Sequence, residues 1–166
     1  MYSLKKVFVL IFLSISSIGL GQEISTYYLI RHAEKVRTDK TDRDPHLTQV
    51  GQERAENWSK ILKEVPFDIV YSTSYHRTKE TAQPLAMAKN LPITLYNPRT
   101  LYDAEFQEQS KGKIVLVVGH SNTTPALANK IIGQEKYPQI DDDKNGNLYI
   151  LQVSPQGVTS QLLLIE

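Results

Sequence analysis

The stretch Ile114-Val115-Leu116-Val117-Val118-Gly119-His120-Ser121 decides the fold. Its apolar residues follow one another without alternation, the pattern of a strand covered on both faces at the centre of a parallel sheet. Working outward, further strands are predicted at Ile24–Ile30, Phe67–Tyr71, Ile93–Tyr96, Asn147–Val153 and Val158–Ile165. Helical patterns lie between the first five, the alternation of an α/β fold. Ala55, Trp58, Leu62 and Val65 recur at helical spacing and place a helix over Gln49–Glu64, with Thr48 as its N-cap. A second is predicted over Tyr75–Ala88, kinked by Pro84, and a third over Thr100–Ser110. A fourth has Pro125 near its start and Gly133 just past its end. The turn Ser154-Pro155-Gln156-Gly157 joins the last two strands as an antiparallel hairpin. The expected architecture is a three-layer αβα sandwich with a mostly parallel central sheet and an antiparallel edge hairpin.

The amino terminus is read separately. Lys5 and Lys6 precede the apolar run Val7 to Ile18, and Gly19 and Gly21 stand as small residues before Gln22. This is the order of a secretory signal peptide, so residues 1–21 are expected to be removed and the protein exported, to a periplasm or outside the cell. No stable membrane association is expected after cleavage. Residues 22–166 then form one domain. Setting aside residues 1–21, which carry two lysines and no acids, leaves 17 basic against 18 acidic residues and a formal net charge of −1. That balance points away from nucleic-acid partners. There is no cysteine, which excludes disulfides, thiol catalysis and thiolate metal sites.

Basic residues recur where predicted strands end: Arg31-His32, Tyr75-His76-Arg77 and Gly119-His120. Ligands of open α/β sheets bind outside the carboxyl ends of the strands, so convergence there would create an anion site suited to a phosphoryl group. His32 is the candidate nucleophile, since a neutral imidazole attacks through one nitrogen while the other is fixed by a hydrogen bond. Arg31 and Arg77 suit phosphoryl oxygens, being planar, permanently charged and bidentate. His120 is the fourth oxygen ligand expected. Surrounding positive charge favours neutral His32.

Four ordered blocks extend this pattern. They are Arg31-His32-Ala33-Glu34, then Leu47-Thr48-Gln49-Val50-Gly51 with Arg54-Ala55. Ser72-Thr73-Ser74-Tyr75-His76-Arg77-Thr78 with Glu80-Thr81-Ala82 and Val117-Val118-Gly119-His120-Ser121-Asn122-Thr123 come next. With these blocks the chain resembles the histidine phosphatase superfamily, the group that includes cofactor-dependent phosphoglycerate mutases and acid phosphatases. The resemblance implies a phosphoglycerate mutase-like fold and a phosphatase that hydrolyses phosphomonoesters through a phosphohistidine on His32. It implies a phosphate pocket of Arg31, Arg77 and His120, and no metal or organic cofactor. It also implies an Asp or Glu between Arg77 and His120 that protonates the leaving oxygen. Asn97 fills the slot after the third strand, so Asp103 is the preferred acid and Glu105 the alternative.

The loop Lys35–Asp44, with four basic and three acidic residues, is expected to face a small phosphorylated substrate, with Lys35 and Arg37 as leaving-group contacts. Glu34, beside the nucleophile, is a further substrate-side candidate or an orienting group. His46 and His76 complete the four histidines, but no metal-ligand spacing occurs among them. Asp141, Asp143, Asn145 and Gly146 match the opening of a calcium loop, yet position twelve is Gln152, and an acidic turn before an edge strand is the preferred reading. The competing functions are a non-catalytic phospho-ligand-binding module and a phosphohistidine phosphatase acting on a protein. Substrate identity and oligomeric state stay open.

Overall fold

A computed structural model describes residues 23–165. The signal-peptide expectation for residues 1–21 therefore lies outside the described residues. Six strands and four helices alternate: β1 (Ser25–Arg31), α1 (Gln49–Ile61), β2 (Ile69–Ser72), α2 (His76–Ala88), β3 (Ile93–Leu95), α3 (Ala104–Ser110), β4 (Ile114–Gly119), α4 (Thr123–Ile132), β5 (Asn147–Ser154) and β6 (Gly157–Leu164). The sheet order is β3-β2-β4-β1-β5-β6. The first four are parallel, while β5 runs antiparallel to β1 and pairs with β6 as the expected edge hairpin. Among the described residues no helix is long and apolar enough to cross a membrane.

The unalternating apolar run of β4 is explained by two separate cores. Val115 and Val117 point into one, with Tyr27, Leu29, Phe106, Leu127 and Ile131. Leu116 and Val118 point into the other, with Ile30, Trp58, Leu62, Leu85 and Ala86. Thus α3 and α4 cover one face of the sheet, and α1 and α2 the other. The chain leaves β1 through α1 and the adjacent β4 through α4, on opposite faces and in opposite directions along the sheet. That divergence opens a crevice outside the carboxyl ends of β1 and β4, the usual ligand position in such sheets.

Several boundaries differ from the sequence reading for identifiable reasons. α1 ends at Ile61, three residues early, and the Leu62 N–H turns back to the Trp58 carbonyl at 3.0 Å. α3 starts at Ala104 instead of Thr100, because Tyr102 adopts a positive φ of 58° that no helix continues through, and Asp103 then serves as the N-cap. α2 runs on as one helix through Pro84. Proline forfeits a backbone hydrogen bond there, but Ala82, Leu85 and Ala86 around it are anchored in the core.

Gly51 is required by close approach. A Cβ at this position would stand 2.1 Å from the Glu34 carbonyl oxygen. That carbonyl accepts from the Thr48 N–H at 2.8 Å, while Thr48 Oγ1 accepts from the Gly51 N–H at 3.1 Å. The helix N-terminus is thereby fastened to the loop that carries His32. In an unconstrained helix Gly→Ala stabilises. Here Gly51→Ala should destabilise the chain by about 1–3 kcal/mol, and equal or greater stability in denaturant titration would contradict the packing described.

Candidate active site

The β1–β4 register pairs Arg31 with Gly119, so the residues just past each strand emerge side by side. The His32 N–H extends the pairing to the Gly119 carbonyl at 2.9 Å, and the His32 and His120 rings meet edge to face with centroids 5.5 Å apart. Arg77 comes from the first turn of α2, where Thr78 closes the turn by donating to the Tyr75 carbonyl at 2.9 Å. Together Arg31, His32, Lys35, Tyr75, Arg77, Pro98, His120, Ser121, Asn122, Thr123, Gln139 and Asp142 line one cavity of about 410 Å³.

His32 is buried, and its Nδ1 lies 2.7 Å from the Ala33 carbonyl. A carbonyl only accepts, so Nδ1 carries the proton and Nε2 keeps its lone pair. Burial, aided by His120, Arg31 and Arg77, pushes His32 down to about 3 against the opposing Ala33 hydrogen bond. Burial, with Arg77, Lys35 and Arg31, pushes His120 down to about 4. Both imidazoles are neutral near pH 7. One nitrogen of His120, Nε2, lies 3.0 Å from Thr73 Oγ1, which fixes the ring's rotation.

The two arginines are held from behind. Arg31 Nη1 donates to the carbonyls of Asp141 and Lys144, both at 2.8 Å, and its Nη2 to Asp142 Oδ1 at 3.0 Å. Arg77 lies over the Tyr75 ring, 4.2 Å from its centroid, and 3.6 Å from Asp44. Burial lowers both guanidinium groups from their ordinary value, without reaching a range in which arginine discharges. The Nε–H of each is buried and meets no acceptor among the described residues. Buried donors are normally paired. Both arginines line the cavity, and a planar, permanently charged guanidinium suits an anionic ligand.

The remaining sequence candidates divide. Lys35 lines the cavity, and burial lowers its ammonium. Arg37 does not line it but binds Asp142 Oδ2 at 2.8 Å from the rim. Glu34 is an orienting residue: its carboxylate takes Arg54 Nε at 2.8 and 3.0 Å. The preferred acid does not line this cavity. Asp103 caps α3, its Oδ1 accepting from the Phe106 N–H at 2.9 Å, and that bond holds its carboxyl below the usual range. Asp103 and Glu105 line a different cavity, with Tyr71, Tyr96 and Asn97. Neither they nor Asn97 shares the lining of the histidine pocket.

One carboxylate lines that pocket: Asp142, which the sequence reading passed over as part of an acidic turn. Hydrogen bonding to Arg37 keeps it below the ordinary carboxylate range. The turn resembling a calcium loop has another use. Its carbonyls and Asp142 grip Arg31, while Asn145 Nδ2 donates to the His32 carbonyl at 2.8 Å. Only the local motif Asp-x-Asp-x-Asn-Gly was visible in sequence, and it suggested a cation where the fold supplies a guanidinium.

A buried neutral imidazole between two arginines on an αβα sheet has the chemistry to accommodate a phosphoryl group. Residues 27–97 match the family model "Histidine phosphatase superfamily (branch 1)". No curated protein matches the chain in sequence. Solved structures share the fold. The protein histidine phosphatase SixA, determined with tungstate, is 16% identical with a TM-score of 0.67, covering 84% of this chain and 96% of that one. The alpha-ribazole phosphatase of Shigella flexneri is 17% identical with a TM-score of 0.66, again over 84% and 96%. A phosphoserine phosphatase of Entamoeba histolytica is 16% identical with a TM-score of 0.62, over 82% and 94%.

The buried neutral histidines tie stability to pH. An unfolded histidine titrates near 6.5, whereas His32 and His120 protonate near 3 and 4. Between these limits the unfolded chain binds protons that the folded chain refuses, so stability falls as pH drops from 6.5. Each unit of depression is worth about 1.4 kcal/mol. His32→Ala should flatten the fall of melting temperature between pH 6.5 and 4. An unchanged slope would mean that His32 titrates normally in the folded protein.

Proposed function

We propose that the protein is a phosphatase that forms a phosphohistidine on His32 and acts on phosphoryl compounds with good leaving groups. The carrying observation is that Arg31, Arg77 and His120 line the cavity that also holds His32, whose Nδ1 is engaged by the Ala33 carbonyl. The Nε2 lone pair attacks phosphorus, and the bond to the leaving group breaks with its electron pair. Arg31, Arg77 and His120 stabilise charge on the equatorial oxygens. Water then attacks the phosphohistidine, the N–P bond breaks back onto Nε2, and the water proton passes to solvent or phosphate.

Leaving-group preference stems from the acid. Asp103 and Glu105 lie elsewhere, and Asp142 is engaged as an anion by Arg31 and Arg37. A leaving group must then depart without a carboxylic acid to protonate it, which suits aryl phosphates, acyl phosphates and phosphohistidine. A protein phosphohistidine is the second reading, favoured by this same lack of an acid in the cavity. The nucleophile is neutral and the charge comes from arginine, so turnover is expected to survive a chelator. Lys5, Lys6 and the apolar run Val7 to Ile18 support an exported enzyme.

The test is hydrolysis of an aryl phosphate series by the full chain. Rates should fall steeply as the phenol becomes less acidic, and alkyl phosphates should be poor substrates. His32→Ala should lose roughly 10³-fold or more, Arg77→Ala about 10²–10³-fold, and Asp103→Asn should match the parent. An acid-labile, alkali-stable phosphoryl group trapped on His32 would support the intermediate. No turnover of aryl or acyl phosphates, with phosphate still raising the melting temperature through Arg31 and Arg77, would favour the binding module instead.

A further inference from the structure

The phosphatase chemistry makes no use of His46 and His76, and no linear spacing connects them as ligands. The fold brings them together. His46 lies just past the Lys35–Asp44 loop and before the α1 cap, while His76 and Glu80 stand at i and i+4 on the first turns of α2. Side chains four apart on a helix share a face. One nitrogen from each imidazole and one oxygen from Glu80 lie within 4.8 Å of one another. The two rings are stacked, with centroids 4.2 Å apart and planes at 29°.

We propose that His46, His76 and Glu80 form a binding site for a divalent transition-metal ion of the zinc class, with Asp44 as the fourth ligand. Asp44 Oδ2 lies 3.8 Å from His76 Nε2, so a second carboxylate already faces the cluster. Two imidazoles and two carboxylates suit zinc, nickel or copper better than magnesium or calcium, which take mostly oxygen. Zinc holds N and O ligands at roughly 2.0–2.2 Å in a tetrahedron, so ligand atoms must end about 3.4 Å apart. The wider separations must therefore close slightly, while the His46 Nδ1–Glu80 Oε1 contact must open. The cluster has the freedom to do so, since the His46 and His76 side chains are 63% and 46% exposed.

The surroundings already orient the ligands, as outer-shell hydrogen bonds do at metal sites. Glu80 Oε2 accepts from the Leu47 N–H at 2.8 Å, while Oε1 contacts His46 Nδ1. Asp44 Oδ1 accepts from the His76 N–H at 2.7 Å, which fixes its carboxylate at the start of α2. The site is outside the phosphate cavity, since none of these residues lines it, and it does not depend on the phosphatase reading.

The test is calorimetric titration of the chelator-stripped full chain with zinc chloride near neutral pH. Expected are one ion per chain, and affinity at least roughly tenfold weaker in both His46→Gln and His76→Gln, with zinc-induced shifts of those two ring signals in NMR spectra. His32→Ala should bind zinc like the parent, which separates this cluster from the His32–His120 pair. Both glutamine variants alter exposed side chains, and their metal-free melting temperatures should equal the parent's. Failure of the full chain to bind zinc, or binding that survives both glutamine substitutions, would overturn the proposal.

Discussion

The parallel pairing of β1 with β4, in the register that sets Arg31 beside Gly119, is the constraint on which the site depends. Side chains in a strand alternate between faces, so a slip by one residue would send Tyr27, Leu29, Val115 and Val117 into the wrong core. The register is therefore enforced by two apolar layers packed on opposite faces. The same register carries the backbone one step further, through the His32 N–H to Gly119 carbonyl bond, and delivers His32 and His120 to one crevice. Core packing and the geometry of chemistry are thus fixed by one set of contacts.

Concentrating cations in a buried cavity is costly, and the fold offsets this in two ways. The histidines stay neutral, because burial and the neighbouring guanidinium groups disfavour protonation. The arginines stay charged and are matched by carbonyls, two carboxylates and an aromatic face. Both also line the cavity in which an anion is proposed to bind. Asp142, wedged between Arg31 and Arg37, supplies negative charge at the rim and is no proton donor there. This electrostatic arrangement is the basis of the proposed binding of phosphoryl oxygens and of the proposed preference for leaving groups that need no acid.

The start of α2 serves two neighbourhoods at once. Arg77 turns inward to the cavity, while His76 and Glu80 turn outward toward His46. Asp44 touches both sides, 3.6 Å from Arg77 and hydrogen-bonded to the His76 N–H. Helical spacing separates the two roles, since adjacent residues on a helix point about 100° apart.

By itself the sequence determined the layer architecture, the central strand and the edge hairpin, and it named His32 as candidate nucleophile with Arg31 and Arg77 beside it. These are carried by short-range patterns: unbroken apolar runs, helical spacing, turn residues, and basic residues just past strand ends. Only the tertiary structure decided which carboxyls reach the pocket. Asp103 is near in the chain to the expected slot, but a capping bond to α3 and the left-handed Tyr102 turn it into another cavity. Asp142 is 111 residues from Arg31, and it arrives only because β5 pairs with β1. The His46–His76–Glu80 cluster likewise joins a loop to a helix. Contacts of this kind depend on where whole elements pack, and no local pattern of residues encodes that.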